Sequence, residues 1–141
     1  MKILTVYNTC GIKNEQPMWY MQAIQSILDQ TNINNKTVVS SCLNTDGCIS
    51  YLKNMFGESL DIYRYNEPHT VNITFNKTVQ EAIKKYGEFD GYLFIDSGIT
   101  LYNPNIICEG AKRLNDFGIV SFQTDTDTGY GVIGLKQDSD K

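Results

Sequence analysis

The chain has 141 residues, of which 41% are hydrophobic and 20% charged, and these values suit one globular domain with its own core. Sixteen acidic residues against twelve basic ones give a formal net charge of −4, and the sequence has no dense basic run. The composition therefore argues against a nucleic-acid-binding surface. The apolar run near the N-terminus is too short for a signal peptide or a membrane span, so we expect a cytoplasmic protein with no transmembrane segment.

Apolar periodicity and turn residues predict two strands and two helices in the first half of the chain. Proline favours the first turn of a helix, and a Thr or Asn side chain favours the cap before it. The predicted elements, in chain order, are a strand over residues 3–7, a helix over 17–30 beginning at Pro17, a strand over 37–41, and a helix that Asn44 or Thr45 caps and Gly57 ends.

The second half continues the alternation. Its predicted elements are a strand over residues 60–65, a helix over 73–86 ended by Gly87, a strand over 91–96, a helix with Asn103 and Pro104 as its cap and first turn, and strands over 119–122 and 132–135. The run of residues 91–95 is uninterrupted and apolar, which is typical of a strand covered on both faces in a parallel sheet. We therefore predict a doubly wound α/β fold, a mostly parallel sheet flanked by helices, as one domain over residues 1–141.

Asp96 follows the most apolar of these predicted strands. In open parallel sheets, ligands bind outside the carboxyl ends of the strands, near the point where the strand order reverses. A bare carboxylate is costly to bury, so we expect Asp96 to face a cation, a hydrogen-bond donor or water. The alternative is a loop acid or helix cap with no ligand.

Several motifs around these elements occur together in one known family. They are Val6-Tyr7-Asn8, the stretch AIQSILDQT at residues 23–31, the strand TVVSS at 37–41 with Asn44-Thr45-Asp46-Gly47, Asn76 with Glu81-Ala82, and YLFIDSG at 92–98. Together they resemble the nucleotide-sugar-binding part of the inverting, family-two-like glycosyltransferases, which have the glycosyltransferase A (GT-A) fold. In this sequence Ser40 and Ser41 replace two acids of that pattern, and Gly98 replaces the second acid of its D-x-D signature.

The resemblance implies the transfer of a sugar from a nucleotide-diphosphate donor, such as a UDP-sugar, to an acceptor hydroxyl on a carbohydrate or another molecule. It implies that Asp96 binds Mn²⁺ or Mg²⁺, which neutralises the diphosphate leaving group. The residues implied to bind the nucleotide sugar are Tyr7, Asn8, Ser40, Ser41, Asp46, Asn76, Asp96, Ser97 and Gly98. The helix that follows His69 would offer its N-terminal N–H groups to phosphate, with Lys77 nearby.

Other candidate sites are weaker. The sequence has one histidine, His69, and no nucleophile with an orienting acid near it. The acidic loop at residues 125–129 lacks the final glutamate of a calcium loop, and the widely spaced cysteines are expected to be reduced and buried.

We find no counterpart of the family's catalytic base, because Asp125 and Asp127 come early and in a turn-like setting. We therefore expect a chain without a full acceptor-binding region. The alternative function is a non-catalytic α/β nucleotide-binding or regulatory module, an inactive or truncated relative of the glycosyltransferases. A sugar-nucleotide pyrophosphorylase would need a richer loop after the first strand than Gly11-Ile12-Lys13.

Overall fold

The computed structural model describes residues 1–11, 15–121 and 132–134. The strands are β1 (Lys2–Cys10), β2 (Asn34–Cys42), β3 (Asp61–Tyr65), β4 (Gly91–Asp96), β5 (Val120–Ser121) and β6 (Val132–Gly134). The α-helices are α1 (Pro17–Leu28), α2 (Asp46–Phe56), α3 (Val71–Tyr86) and α4 (Ile106–Arg113), and a short 3₁₀ turn spans Gly57–Ser59. None of the described helices is both long enough and apolar enough to span a membrane.

The six strands form one sheet in the order β3-β2-β1-β4-β6-β5. The first four of these pair in parallel, whereas β6 runs antiparallel to both β4 and β5. The chain places β2 and β3 on one side of β1 and then crosses to place β4 on the other side. The strand order therefore reverses between β1 and β4, and the carboxyl ends of these two strands flank the crevice where such folds bind ligands. The mostly parallel α/β sheet predicted from the sequence is confirmed.

Local signals set the ends of the helices as predicted. Pro17 is the first residue of α1. Thr45 caps α2, because its side-chain oxygen accepts a hydrogen bond from the backbone N–H of Cys48 at 3.1 Å. Gly57 and Gly87 follow α2 and α3 with φ angles of +54° and +80°, a backbone region that favours glycine.

Two apolar clusters cover the two faces of the sheet. On the first face, which we call the three-helix face, strand residues pack against α1, α2 and α4. Its buried members include Ile3, Tyr7, Val39, Ile95, Ile24, Leu52 and Ile107. On the second face, which we call the α3 face, strand residues pack against α3. Its buried members include Leu4, Val6, Val38, Tyr92 and Ala82. Because both faces are covered, the central strands are apolar on both sides.

The last part of the chain differs in detail from the prediction. The helix expected to begin at Asn103 and Pro104 begins at Ile106. The carbonyl groups of Asn103 and Pro104 accept hydrogen bonds from Gln30 and Thr31, and the N–H of Ile107 donates to Oε1 of Gln30 at 3.0 Å. The strand expected over 119–122 has two residues, and the strand expected over 132–135 is described over Val132–Gly134. The acidic loop at 125–129 lies outside the described residues.

Candidate functional site

Three polar side chains form a row across the carboxyl edge of the sheet. Asn8 of β1 is the register partner of Ser40 on one side and of Asp96 on the other. Register partners in neighbouring parallel strands point to the same face and lie about 4.8 Å apart along the hydrogen-bonding direction. The three residues, which we call the edge row, therefore lie side by side on the α3 face, at the point where the strand order reverses.

One member of the edge row, Ser40, has a buried side-chain oxygen without a hydrogen-bond partner among the described residues. The residue as a whole is fully buried. Asn8 is only 7% exposed, and no hydrogen bond joins its side-chain amide to another described residue. An unpaired buried polar group costs roughly 1–3 kcal/mol, so native proteins seldom keep one without a use. Ser40, with the nearly buried Asn8 beside it, is therefore the strongest structural indication of a ligand site.

Asp96 is the exposed member of the row. It is the last residue of β4, and its carbonyl accepts a hydrogen bond from the N–H of Ile99 at 3.4 Å, which closes a turn. Within the described parts of the chain, its carboxylate makes no ion pair and no hydrogen bond. The structure thus places a carboxylate at the rim of the crevice with its oxygens open to a solvent cation or a ligand.

Tyr7 lies on the other face of the sheet from Asn8, because alternate strand residues point in opposite directions. Its ring is fully buried on the three-helix face, and its hydroxyl accepts a hydrogen bond from the N–H of Gly98 at 3.4 Å. Burial raises the pKa of Tyr7, and the charge of Asp96 adds to that effect, so the phenol is neutral. Tyr7 therefore supports the turn after Asp96 rather than joining the edge row.

Ser41 and Asp46 also have protein partners of their own. The Ser41 hydroxyl, on the three-helix face, donates to Oδ1 of Asn44 at 2.6 Å. The carboxylate of Asp46 forms a 2.6 Å ion pair with Arg64, although its side chain is 90% exposed. Neither residue belongs to the edge row.

The remaining predicted residues lie at the surface. Ser97 and Gly98 form the exposed turn after β4, and Gly98 has a φ angle of +87°. Asn76 and Lys77 are exposed in α3, beyond its first turn, and α3 begins after β3 near the carboxyl edge. Thr70 precedes α3 without making a side-chain cap, so the first N–H groups of this helix are not capped by it.

A polar network that the sequence did not indicate holds the loops beside the edge row. The buried Oδ1 of Asn44 accepts hydrogen bonds from Thr9 and Ser41, each at 2.6 Å. Its Nδ2 donates to the carboxylate of Glu15, which also accepts from the hydroxyl of Thr45 at 2.8 Å. Burial raises the pKa of Glu15, but these hydrogen bonds outweigh burial and lower it overall. The only sequence signal was that Asn44 stood at a possible cap position.

The residues present fit a divalent cation that shares its ligands with a bound diphosphate. No group of three or more His, Cys, Asp or Glu side chains able to hold a metal occurs in the described part of the chain. Mg²⁺ is usually bound by one or two carboxylates together with substrate phosphates rather than by a protein cage. The single open carboxylate of Asp96 meets that requirement, and it is the residue that would hold the ion.

No family model matches the sequence, and comparison with curated proteins finds no significant match. Solved structures do match the fold. A protein from Desulfovibrio desulfuricans G20 described as a nucleotide-diphospho-sugar transferase is 10% identical with a TM-score of 0.68, over 96% of this chain and 64% of that one. S. aureus TarS residues 1–349 in complex with UDP is 16% identical with a TM-score of 0.63, over 86% of this chain and 34% of that one. HddC from Yersinia pseudotuberculosis is 14% identical with a TM-score of 0.61, over 97% of this chain and 78% of that one.

These likenesses define the class of fold. The chain has the α/β fold of the nucleotide-diphospho-sugar transferases, similar to the GT-A fold that the sequence motifs resemble. It spans less than two thirds of the length of the first of these structures and about a third of the second. At identities this low the match establishes the fold alone, and the reaction is a matter for proposal.

Proposed function

We propose that the chain is the donor-binding domain of an inverting glycosyltransferase, which binds a nucleotide-diphosphate sugar with the help of Mn²⁺ or Mg²⁺ at Asp96. The edge row is the observation that carries this proposal. It places one unpaired buried hydroxyl, one nearly buried amide and one open carboxylate side by side at the strand-order reversal of a nucleotide-sugar fold. Such a row offers hydrogen bonds to a nucleoside and a carboxylate to the cation of its diphosphate.

The chemistry divides between the uncharged and the charged members of the row. Ser40 and Asn8 each offer a donor and an acceptor, which suits neutral polar atoms of a base or ribose. Asp96 would hold the cation, which as a Lewis acid neutralises charge on the leaving diphosphate. The N–H of Gly98 and the hydroxyl of Tyr7 fix the turn that follows Asp96, and so hold the carboxylate at the rim.

UDP is the first nucleotide to test, because the TarS structure that this chain resembles is a complex with UDP. Inverting transfer would also need an acceptor hydroxyl and a base that removes its proton. The edge row contains no second carboxylate, so the proposal covers donor binding and leaves acceptor activation to other residues.

The test is thermal stability of the wild type, Asp96→Ala and Asp116→Ala with UDP or GDP, each with Mn²⁺ or with EDTA. Asp116 is a matched control, an exposed aspartate in the turn after α4. A ligand at about 100 times its Kd adds about 2.7 kcal/mol of stability. We expect a metal-dependent increase in Tm for the wild type and Asp116→Ala, and its loss in Asp96→Ala. No nucleotide-dependent shift in the wild type would refute donor binding.

Gly98 favours a second candidate function, a non-catalytic nucleotide-binding module. Gly98 stands where the D-x-D pattern has its second acid, so the turn offers one carboxylate to the cation. Its φ angle of +87° suits glycine. In that case nucleotide would still raise the Tm, but the protein would release no nucleoside diphosphate from a nucleotide sugar in the presence of carbohydrate acceptors. Steady release that depends on the acceptor would establish transfer.

A further inference from the structure

Two cysteines lie side by side at the carboxyl ends of β1 and β2. Cys10 is the last residue of β1, Cys42 is the last residue of β2, and the two are register partners. The N–H of Gly11 donates to the carbonyl of Cys42 at 2.9 Å, so the pairing of the two strands continues one residue beyond Cys10. The two thiols therefore point to the same face, the α3 face, two residues beyond Asn8 and Ser40 of the edge row.

The spacing of these residues is compatible with a disulfide bond. Neighbouring strands lie about 4.8 Å apart, and disulfides join Cα atoms about 4.4–6.8 Å apart. Both cysteines are reduced in the structure. A spacing of about 4.8 Å lies inside the disulfide range, so the two cysteines need no large backbone movement to form the bond.

The surroundings of the pair give the two thiols different roles. Cys10 is partly exposed, whereas Cys42 is 5% exposed and its thiol donates to the carbonyl of Glu67 at 3.6 Å. Cys10 can thus meet a small reagent first, with Cys42 beside it. The other two cysteines, Cys48 and Cys108, are buried in α2 and α4, which cover the three-helix face.

We propose that Cys10 and Cys42 form a dithiol site, which small-molecule disulfides such as oxidised glutathione convert into a reversible bond between β1 and β2 beside the edge row. The Cys10 thiolate attacks one sulfur of glutathione disulfide, the glutathione S–S bond breaks, and one glutathione thiolate leaves. The Cys42 thiolate then attacks the Cys10 sulfur and displaces the second glutathione. The two protein thiols are oxidised, one glutathione disulfide is reduced to two thiols, and the two protons pass to the departing glutathione.

The electrostatic setting makes this exchange dependent on pH. The pKa of the Cys10 thiol is raised chiefly by burial. The neighbouring Cys42 thiol raises it further, and the carboxylate of Glu15 raises it more weakly. Among the described residues, the hydroxyl of Tyr20 in α1 also lies close, since it donates to the carbonyl of Cys10 at 3.2 Å. Because the thiolate is the attacking species, the rate of exchange should increase about tenfold per pH unit below the pKa of the thiol.

The experiment is treatment of the native protein with oxidised glutathione at mildly alkaline pH, alkylation of free thiols, and peptide mapping without reduction. Trypsin separates Cys10, in residues 3–13, from Cys42, in residues 37–53, and cleavage before Asp46 then separates Cys42 from Cys48. We expect the loss of two free thiols, one Cys10–Cys42 linked peptide pair per chain, and full reversal by dithiothreitol.

Two substitutions serve as controls. Cys108→Ser should form the same linked peptides as the wild type. Cys42→Ser should stop at a stable glutathione adduct on Cys10. The peptide map of the wild type tests the proposal even if the Cys42→Ser variant does not fold. A persistent glutathione adduct on wild-type Cys10, a bond to Cys48 or Cys108, a bond between two chains, or no change in the free thiols would overturn the proposal.

Discussion

Ser40 and Ser41 are consecutive in β2 and have opposite environments. Ser40 points to the α3 face, where its hydroxyl is fully buried and unpaired. Ser41 points to the three-helix face, where its hydroxyl donates to Asn44. Both replace acids of the motif that the strand resembles. Substituting each serine in turn therefore tests which hydroxyl stabilises the fold and which one binds a ligand.

We expect Ser40→Ala to leave the free energy of unfolding unchanged or slightly raised, because no hydrogen bond among described groups is lost. We expect Ser41→Ala to lower it by about 0.5–1.5 kcal/mol, the usual net value of a hydrogen bond. For nucleotide affinity the order should reverse, with Ser40→Ala binding UDP more weakly and Ser41→Ala binding normally. Urea denaturation and titration calorimetry measure the two quantities. Equal losses of stability in both variants would contradict the assignment.

Gly98 decides how many acids the turn after β4 offers. Gly98→Asp would restore the second acid of the D-x-D pattern at a φ angle of +87°. A Cβ at this position meets no heavy atom within 4 Å, so the cost comes from the backbone and should be about 1–2 kcal/mol. We expect a lower Tm in EDTA but a larger stabilisation by Mn²⁺ with UDP than in the wild type. Gly98→Ala is the control, with the same strain and no added carboxylate.

At the scale of elements, Asn44 joins four parts of the chain. Its side chain contacts Thr9 at the end of β1, Ser41 at the end of β2 and Glu15 in the segment before α1. Its carbonyl accepts a hydrogen bond from Arg64 of β3 at 3.0 Å, and it stands two residues before α2. The side-chain amide and the backbone carbonyl of one buried residue therefore hold the carboxyl ends of three strands next to the edge row.

We expect Asn44→Ala to lower the free energy of unfolding by about 2–3 kcal/mol, because three buried or partly buried polar partners lose their hydrogen bonds at once. The measurement is urea denaturation. Asn115→Ala, in the exposed turn after α4, is the control and should stay within about 0.5 kcal/mol of the wild type. A loss no larger than that of the control would show that the network does not hold these strand ends together.

At the scale of the whole molecule, Asp61 links the outer edge of the sheet to the end of α3. Its carboxylate accepts a hydrogen bond from Lys85 at 3.1 Å and another from the hydroxyl of Tyr86. Burial raises the pKa of Asp61, but these two hydrogen bonds and the nearby charge of Lys36 outweigh burial, so the pKa is lowered overall. A group with a lowered pKa stabilises the folded state only while it is ionised.

The stability contributed by Asp61 should therefore be fully present above about pH 4, the ordinary pKa of an unfolded aspartate, and should be lost as the pH falls through its lower folded value. We expect the free energy of unfolding of Asp61→Asn to depend less on pH below about pH 4 than that of the wild type. Chemical denaturation over a series of pH values measures this. Asp116→Asn is the control, since Asp116 is exposed in the turn after α4. Asp90→Asn would not serve, because the carboxylate of Asp90 accepts a hydrogen bond from the N–H of Lys2. Parallel curves for wild type and Asp61→Asn would contradict the prediction.

Much of the fold could be predicted from local signals in the sequence. The apolar run before Asp96, the proline at position 17 and the glycines at 57 and 87 act within one element or one turn, and each lies where it was predicted. The start of α4 could not be predicted in the same way. Gln30 and Thr31, more than seventy positions away, form hydrogen bonds with the backbone of residues 103, 104 and 107, where the local signals placed its first turn.

The candidate site divides in the same way. The sequence by itself determined that polar residues follow apolar strands at Asn8, Ser40 and Asp96, since that pattern is written along each strand. Only the tertiary structure decided that these three share one face, that Ser41 and Tyr7 lie on the other, and that Cys10 meets Cys42. The physical reason is that successive residues of a strand point to opposite faces of the sheet, which the sequence of that strand shows. Which residues become neighbours depends on the register between strands that are distant in the chain.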